Sequence, residues 1–276
     1  MDISFAIADI FVGFIVDNIF FIISGFIVGF IVGMTGVGGG SLMTPILVLK
    51  FGISPAIAVG TDLLYAAITK SGGVFVHNKR GNIQWKIVGL LSLGSIPAAI
   101  CSIFIIKKLD ANGINYDDLI MTTLSIALIL TALFLMTKDF LHKLSEKEQF
   151  DAIKIIHRKL RTPVTIFAGV LIGTLVTISS VGAGVIGAAF LFFLYPRFKA
   201  IQIVATDLAH AIPITAIAGI GHAHIGTVNY ILLGSLLIGS LPGIYLGSHF
   251  GTFLPDKIMR PFLASMLLVI GIRLVF

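Results

Sequence analysis

The chain has 276 residues, of which 57% are hydrophobic and 12% charged, whereas a soluble globular chain carries about a quarter charged. So few charges cannot cover the surface of a water-soluble domain of this length, which excludes the soluble classes. The net charge of +6 forms no Lys/Arg stripe with interleaved aromatics, so nucleic acid is not an expected partner; anchoring at an inner leaflet accounts for the charge.

Apolar runs of about 20 residues, enough to cross a hydrocarbon layer of about 30 Å, recur along the chain. They predict an all-α, polytopic integral membrane protein. Its 30 Gly and 9 Pro interrupt the apolar stretches, which membrane helices tolerate where broken backbone is shielded by protein or lines a cavity. Broken helices suggest transport rather than a passive anchor. The lone Cys101 lies in an apolar run and supports neither an intrachain disulfide nor a thiolate metal site. No Lys or Arg precedes Lys50, so the basic start of a cleaved signal peptide is missing and the first helix is expected to be retained.

In chain order, residues 3–17 are too short to span and are expected either to extend the first helix or to lie at the interface. A helix over about 18–37 runs into the glycine-rich Gly36-Val37-Gly38-Gly39-Gly40, and a short arm follows at about 42–50. Spans are predicted at about 55–77, 83–106 and 119–137. Residues 138–161 are the long polar stretch, the linker between halves. A helix over about 163–181, a break at Ser180-Val181-Gly182-Ala183-Gly184, an arm at about 185–195 and spans at about 200–222, 228–249 and 258–276 complete the chain.

The second series repeats the first at a shift of about 145 positions. Thr61-Asp62-Leu63 falls on Thr206-Asp207-Leu208, His77 on His222, Gly81 on Gly226, and Gly94-Ser95-x-Pro97 on Gly239-Ser240-x-Pro242. Gly25 and Gly29 fall on Gly169 and Gly173 one residue out of register. The expected organisation is therefore a first repeat over 1–137, a cytoplasmic linker over 138–162 and a second repeat over 163–276.

Cations choose between parallel and inverted halves. With inverted halves the inside collects Lys138, Lys143, Lys147, Lys154, Arg158, Lys159 and Arg161 of the linker with Lys79, Arg80, Lys86, Arg197, Lys199, Lys257 and Arg260, fourteen in all. The outside keeps four, Lys50, Lys107, Lys108 and Arg273; parallel halves would give eleven against seven. Inversion requires the first helix and arm of each half to form a glycine-broken hairpin that enters and leaves on one face. Such repeats are the architecture of secondary transporters, with solute bound near the midplane.

The polar groups expected at membrane depth are Thr61, Asp62, Thr69 and Lys70 in one half and Thr206, Asp207 and His210 in the other. A carboxylate there costs at least about 2.5 kcal/mol to insert, so it marks an interior site by default. The alternative for either aspartate is a salt bridge or a first-turn helix acid, and Lys70 could snorkel. The breaks at Gly38, Gly39, Gly40 and Ser41, and at Gly182 and Gly184, either let helices approach closely or aim an arm's N-terminus at an anion. His77 near the inner face and His222 near the outer one are either mouth histidines able to relay protons or hydrogen-bonded helix ends. His222-x-His224 is too sparse for a metal site, and Trp85 and Tyr230 read as interfacial belt residues.

Gly36-x-Gly38-Gly39-Gly40 with Pro45, then Ala58-Val59-Gly60-Thr61-Asp62-Leu63-Leu64, Thr69-Lys70-Ser71-Gly72-Gly73-Val74, His77 and Gly81, resembles the sulfite exporter TauE/SafE family of bacterial inner-membrane permeases. The resemblance covers essentially the whole chain. It implies a multi-pass protein of the bacterial inner membrane that moves sulfite or another small organosulfur anion, with no cofactor; its partners would be that solute and the lipid bilayer, and a homodimer is compatible. Many members have Ser where this chain has Asp62 and Asp207, so a carboxylate beside an anion must be balanced by Lys70, a proton or a cation. The expected mechanism places a small anion between the breaks, with hydrogen bonds from Thr61 and Thr206 and a coupling proton on Asp62 or Asp207. The rivals are a divalent metal carrier using Asp62, Asp207, His210 and the mouth histidines, and an intramembrane aspartyl protease, although Asp62 and Asp207 both sit in Thr-Asp-Leu contexts rather than the Tyr-Asp and Gly-x-Gly-Asp settings of that family.

Overall fold

The computed structural model describes residues 13, 16–35, 40–146, 151–195, 197–250 and 256–275, and these contain helices and no strand. The helices are α1 (Ile19–Thr35), α2 (Gly40–Phe51), α3 (Pro55–Lys79), α4 (Trp85–Ala111), α5 (Asp117–Glu146), α6 (Asp151–Ser179), α7 (Ile186–Leu194), α8 (Ala200–Ile225), α9 (Tyr230–Phe250) and α10 (Asp256–Val275). The predicted spans and arms all recur within this series. Five of these helices are long and apolar enough to cross a membrane: α4, α8, and the apolar parts of α5, α6 and α9. With 25 residues, α3 has the length, but Asp62, Lys70 and Lys79 lower its apolarity.

The polar linker is a difference from expectation. Rather than a separate segment, most of 138–161 continues α5 to Glu146 and opens α6 at Asp151. Lys, Arg, Glu and Leu dominate it, and all are good helix formers. The expected break at Gly36, Gly38 and Gly39 lies outside the described residues, as does most of 3–17; Gly40 and Ser41 open α2.

Local signals set the ends of the central helices. Pro55 starts α3, where its missing N–H costs nothing. Its far end closes on Gly81 at φ 65°, with Gly81 N–H donating to Asn78 O and Asn82 N–H to His77 O. The same turn closes α8 at Gly226, φ 91°, with Gly226 N–H donating to Ala223 O and Thr227 N–H to His222 O.

Packing between the halves is reciprocal. α1 lies against α9 of the other half, and α6 against α4; α3 pairs with α8, and α5 with α10. Where α1 meets α9, a Cβ on Gly25, Gly29 or Gly33 would strike the backbone of Leu236, Ser240 or Ile244. Where α6 meets α4, a Cβ on Gly169 or Gly173 would strike the backbone of Leu91 or Ser95. Small residues four apart let membrane helices approach to backbone contact, and dispersion then replaces the hydrophobic effect as the cohesive force. The contacts of Gly25 and Gly29 with Leu236 and Ser240 have exchanged counterparts in those of Gly169 and Gly173 with Leu91 and Ser95. Phe20, Phe104, Phe167, Phe193 and Tyr245 point outward, exposed, as a lipid-facing surface demands.

Candidate functional site

The contact between α3 and α8 carries the polar groups. At its two ends the halves exchange one hydrogen bond each: Asn229 N–H donates to Thr61 Oγ1 at 3.0 Å, and Gln84 N–H donates to Thr206 Oγ1 at 3.0 Å. Thr206 in turn donates to Gln202 O at 2.6 Å. The two threonines, expected to donate to an anion, thus hold the start of each helix to a loop of the opposite half.

Directly after Thr61, the second-half break reaches α3 at Asp62. Between α6 and α7 the backbone is not helical: Ser180 stands at φ 58°, Gly182 at 113° and Gly184 at 132°. A non-glycine residue in the left-handed region is strained and is held there by its surroundings. The Ser180 hydroxyl donates to Asp62 Oδ2 at 2.9 Å, and the Thr44 hydroxyl of α2 donates to the same oxygen at 2.6 Å. Asp62 is fully buried, and its Oδ1 has no partner. Two turns along α3, the buried Lys70 donates from Nζ to the Ala183 carbonyl at 2.9 Å. α3 therefore grips both sides of the break.

Asp207 meets the far side of the same break. Its carboxylate lies against the first turn of α7, with Oδ1 packed at Gly187 and the Ala188 N–H within electrostatic reach. Gly187 makes that approach feasible, since a Cβ there would collide with Asp207 Oδ1. Val185, the residue before α7, provides no side-chain cap, so Asp207 supplies the negative charge that a helix N-terminus favours. Lys70 lies within electrostatic reach of Asp207 and then of Asp62. Both buried carboxyl groups therefore act electrostatically on one buried lysine, whose Nζ is held at the Ala183 carbonyl.

His210, also buried, sets Nε2 at 2.8 Å from Ser95 Oγ of α4 and leaves Nδ1 unpartnered. In the other half the equivalent Tyr65 faces Ser240, with its hydroxyl short of a hydrogen bond. The histidines at the helix ends differ. His222 is buried, with Nδ1 2.9 Å from Thr227 Oγ1 and Nε2 3.0 Å from Thr177 O; His77 is half-buried with Nδ1 unpartnered. Trp85 and Tyr230 begin α4 and α9 with exposed rings.

Next to the His222 end, a cavity of about 460 Å³ is lined by Ser54, Asp110, Asn115, Tyr116, Asp117 and Thr227, among others. Burial, then Asp110 and Asp117, pushes the Tyr116 hydroxyl up from 10.0 to about 12. Sequence reasoning missed Thr44, Ser180, Ser95, Gly187 and Thr227. For Ser95 a signal existed, since the Gly-Ser-x-Pro run repeats at Ser240.

The family model for the sulfite exporter TauE/SafE matches residues 21–274. The chain belongs to the sulfite exporter TauE/SafE family. Among its relatives, the probable membrane transporter protein YjnA of Bacillus subtilis is 37% identical over 254 residues, covering 92% of this chain and 98% of that protein. YdhB, a second probable membrane transporter protein of Bacillus subtilis, is 31% identical, covering 91% of this chain and 97% of its own. A probable membrane transporter protein of Methanocaldococcus jannaschii is 28% identical, with 91% and 92% covered. No solved structure matches. A TauE/SafE chain is a multi-pass membrane transport protein and not an enzyme, so the protease rival falls.

Proposed function

We propose that the chain carries a small anion, sulfite or an organosulfonate, across a bacterial inner membrane by alternating access, with a proton carried on Asp62 or Asp207. The observation that carries this reading is the buried set of Asp62, Asp207 and Lys70 arranged around the broken backbone of Ser180–Gly184. Fully ionised, that set has one negative charge in excess, and an uncompensated charge in a low-dielectric interior is costly. A proton bound and released in step with a monoanionic solute keeps that excess from growing to two. The reciprocal contacts at Thr61 and Thr206 suit a cycle in which the two ends loosen in turn as one half rocks on the other. The cation split of fourteen against four supports inverted halves with the linker in the cytoplasm.

Solute and proton flux in proteoliposomes tests the reading. Sulfite counterflow is expected with the wild-type chain, and Asp62→Asn and Asp207→Asn are expected to uncouple or abolish it. Undiminished, fully coupled transport by both variants would remove the proton-carrier role. Counterflow of a divalent cation in place of sulfite would favour the metal-carrier rival. The geometry favours that rival less, because Asp207 and His210 turn to separate places, the first turn of α7 at Gly187 and Ser95 of α4.

A further inference from the structure

The N-terminus of α7 was expected to receive the solute, yet a side chain of this protein already fills it. Asp207 is 1% exposed and sets its carboxylate against the first turn of α7, in the space that a Cβ on Gly187 would fill. Its Oδ1 is buried and has no hydrogen-bond partner, so it is free to accept a proton. We propose that Asp207 is a tethered stand-in for the transported anion, holding the first turn of α7 until protonation releases it, whereupon the solute's own negative group takes its place. The inference rests on the anion reading above and specifies how proton and solute are coupled there.

Charge balance gives the idea its content. In the resting arrangement the α7 terminus faces one negative charge, on Asp207. A proton then forms an O–H bond at Oδ1, and the neutral carboxyl is a poorer partner for a helix N-terminus than an anion is. An entering monoanion restores one negative charge at the same place. One proton therefore accompanies one anion, without the terminus ever being left bare or doubly occupied.

The surroundings are consistent with this. Lys70 of α3 is the charged group that acts on Asp207, and Asp62 shares that lysine. His210, on the same helix as Asp207, turns to Ser95. α7 contains no titratable residue, and among the described residues no charge on α4 or α6 acts on Asp207. Asp62 is not the equivalent device, because two hydroxyls already hold its Oδ2.

The test measures binding of labelled methanesulfonate, which stays fully ionised from acid to alkaline pH, to the purified full-length protein in nanodiscs. Wild-type affinity is expected to fall about tenfold per pH unit on the alkaline side, as linkage to one proton requires. Asp207→Asn and Asp207→Ser are expected to lose that slope and, at alkaline pH, to bind at least about tenfold tighter than wild type. Gly89→Ala, at a site with open space around it, is expected to keep the wild-type slope. Either Asp207 variant retaining that slope, or losing binding while monodisperse, overturns the proposal. So does failure of both variants to give monodisperse protein, which would make Asp207 a purely structural cap. If the wild type binds methanesulfonate at no pH, the anion reading itself falls.

Discussion

At Ser180 two requirements meet in one side chain: a backbone that breaks the helix, and a hydroxyl aimed at Asp62. Its φ of 58° costs about 1–2 kcal/mol for a residue with a Cβ, and the hydrogen bond to a buried carboxylate offsets this by about 1.5–3 kcal/mol. Ser180→Gly is therefore expected to unfold within about 1–2 kcal/mol of wild type while transporting more slowly. Ser180→Ala keeps the strain and loses the bond, and is expected to be less stable than wild type by about 1.5–3 kcal/mol. Thermal unfolding in detergent with flux in proteoliposomes separates the two. Tyr116 supplies a pH test. Its folded value near 12 lies above its ordinary 10.0, so the folded state holds the proton more tightly, and stability is lost as pH rises from about 10 towards 12. Tyr116→Phe is expected to flatten that part of the melting-temperature profile. The aspartates stand out in sequence because a carboxylate in an apolar run is conspicuous. Their partners do not, since Ser180 and Asp62 lie 118 positions apart and only the fold brings them together.

Helix by helix, apolar runs and turn residues placed the elements well, because a membrane span must satisfy its own backbone and little else competes. The polar linker was harder to place. Its charges exclude it from lipid, but they also favour helix, so α5 and α6 run on past the apolar segments. Glycine spacing was legible as a repeat, but the partner of each glycine face was not, since Gly25 and Gly169 meet helices of the opposite half. Those faces make a direct prediction. Gly29→Ala and its counterpart Gly173→Ala are each expected to cost about 1–3 kcal/mol through overpacking against backbone, read as a lower melting temperature. Gly89→Ala, inside α4 with open space, is expected to be neutral or to stabilise by about 0.5–1 kcal/mol.

For the whole molecule, the proposed orientation rests on charge, because contacts within the chain are the same whichever face is cytoplasmic. The prediction is that single cysteines introduced between 138 and 161, in a Cys101→Ser background, react with a membrane-impermeant maleimide only from the cytoplasmic side. Cysteines at Gly113 or Asn115, in the loop between α4 and α5, are expected to react only from the opposite side. Labelling of both sets from one side would reject the assignment.

The exchange of helices between halves also has a consequence in time. Gly25 and its contact Leu236 are 211 positions apart by subtraction, and synthesis proceeds at about 5–20 residues per second. The glycine face of α1 therefore waits on the order of 10–40 s after emerging before α9 exists to cover it. During that interval the nascent first half has no partner for its leading helix, and a chain terminated before α9 never acquires one. The biogenesis of this membrane transport protein is thus a problem of holding α1 open in the bilayer until nearly the whole message has been read.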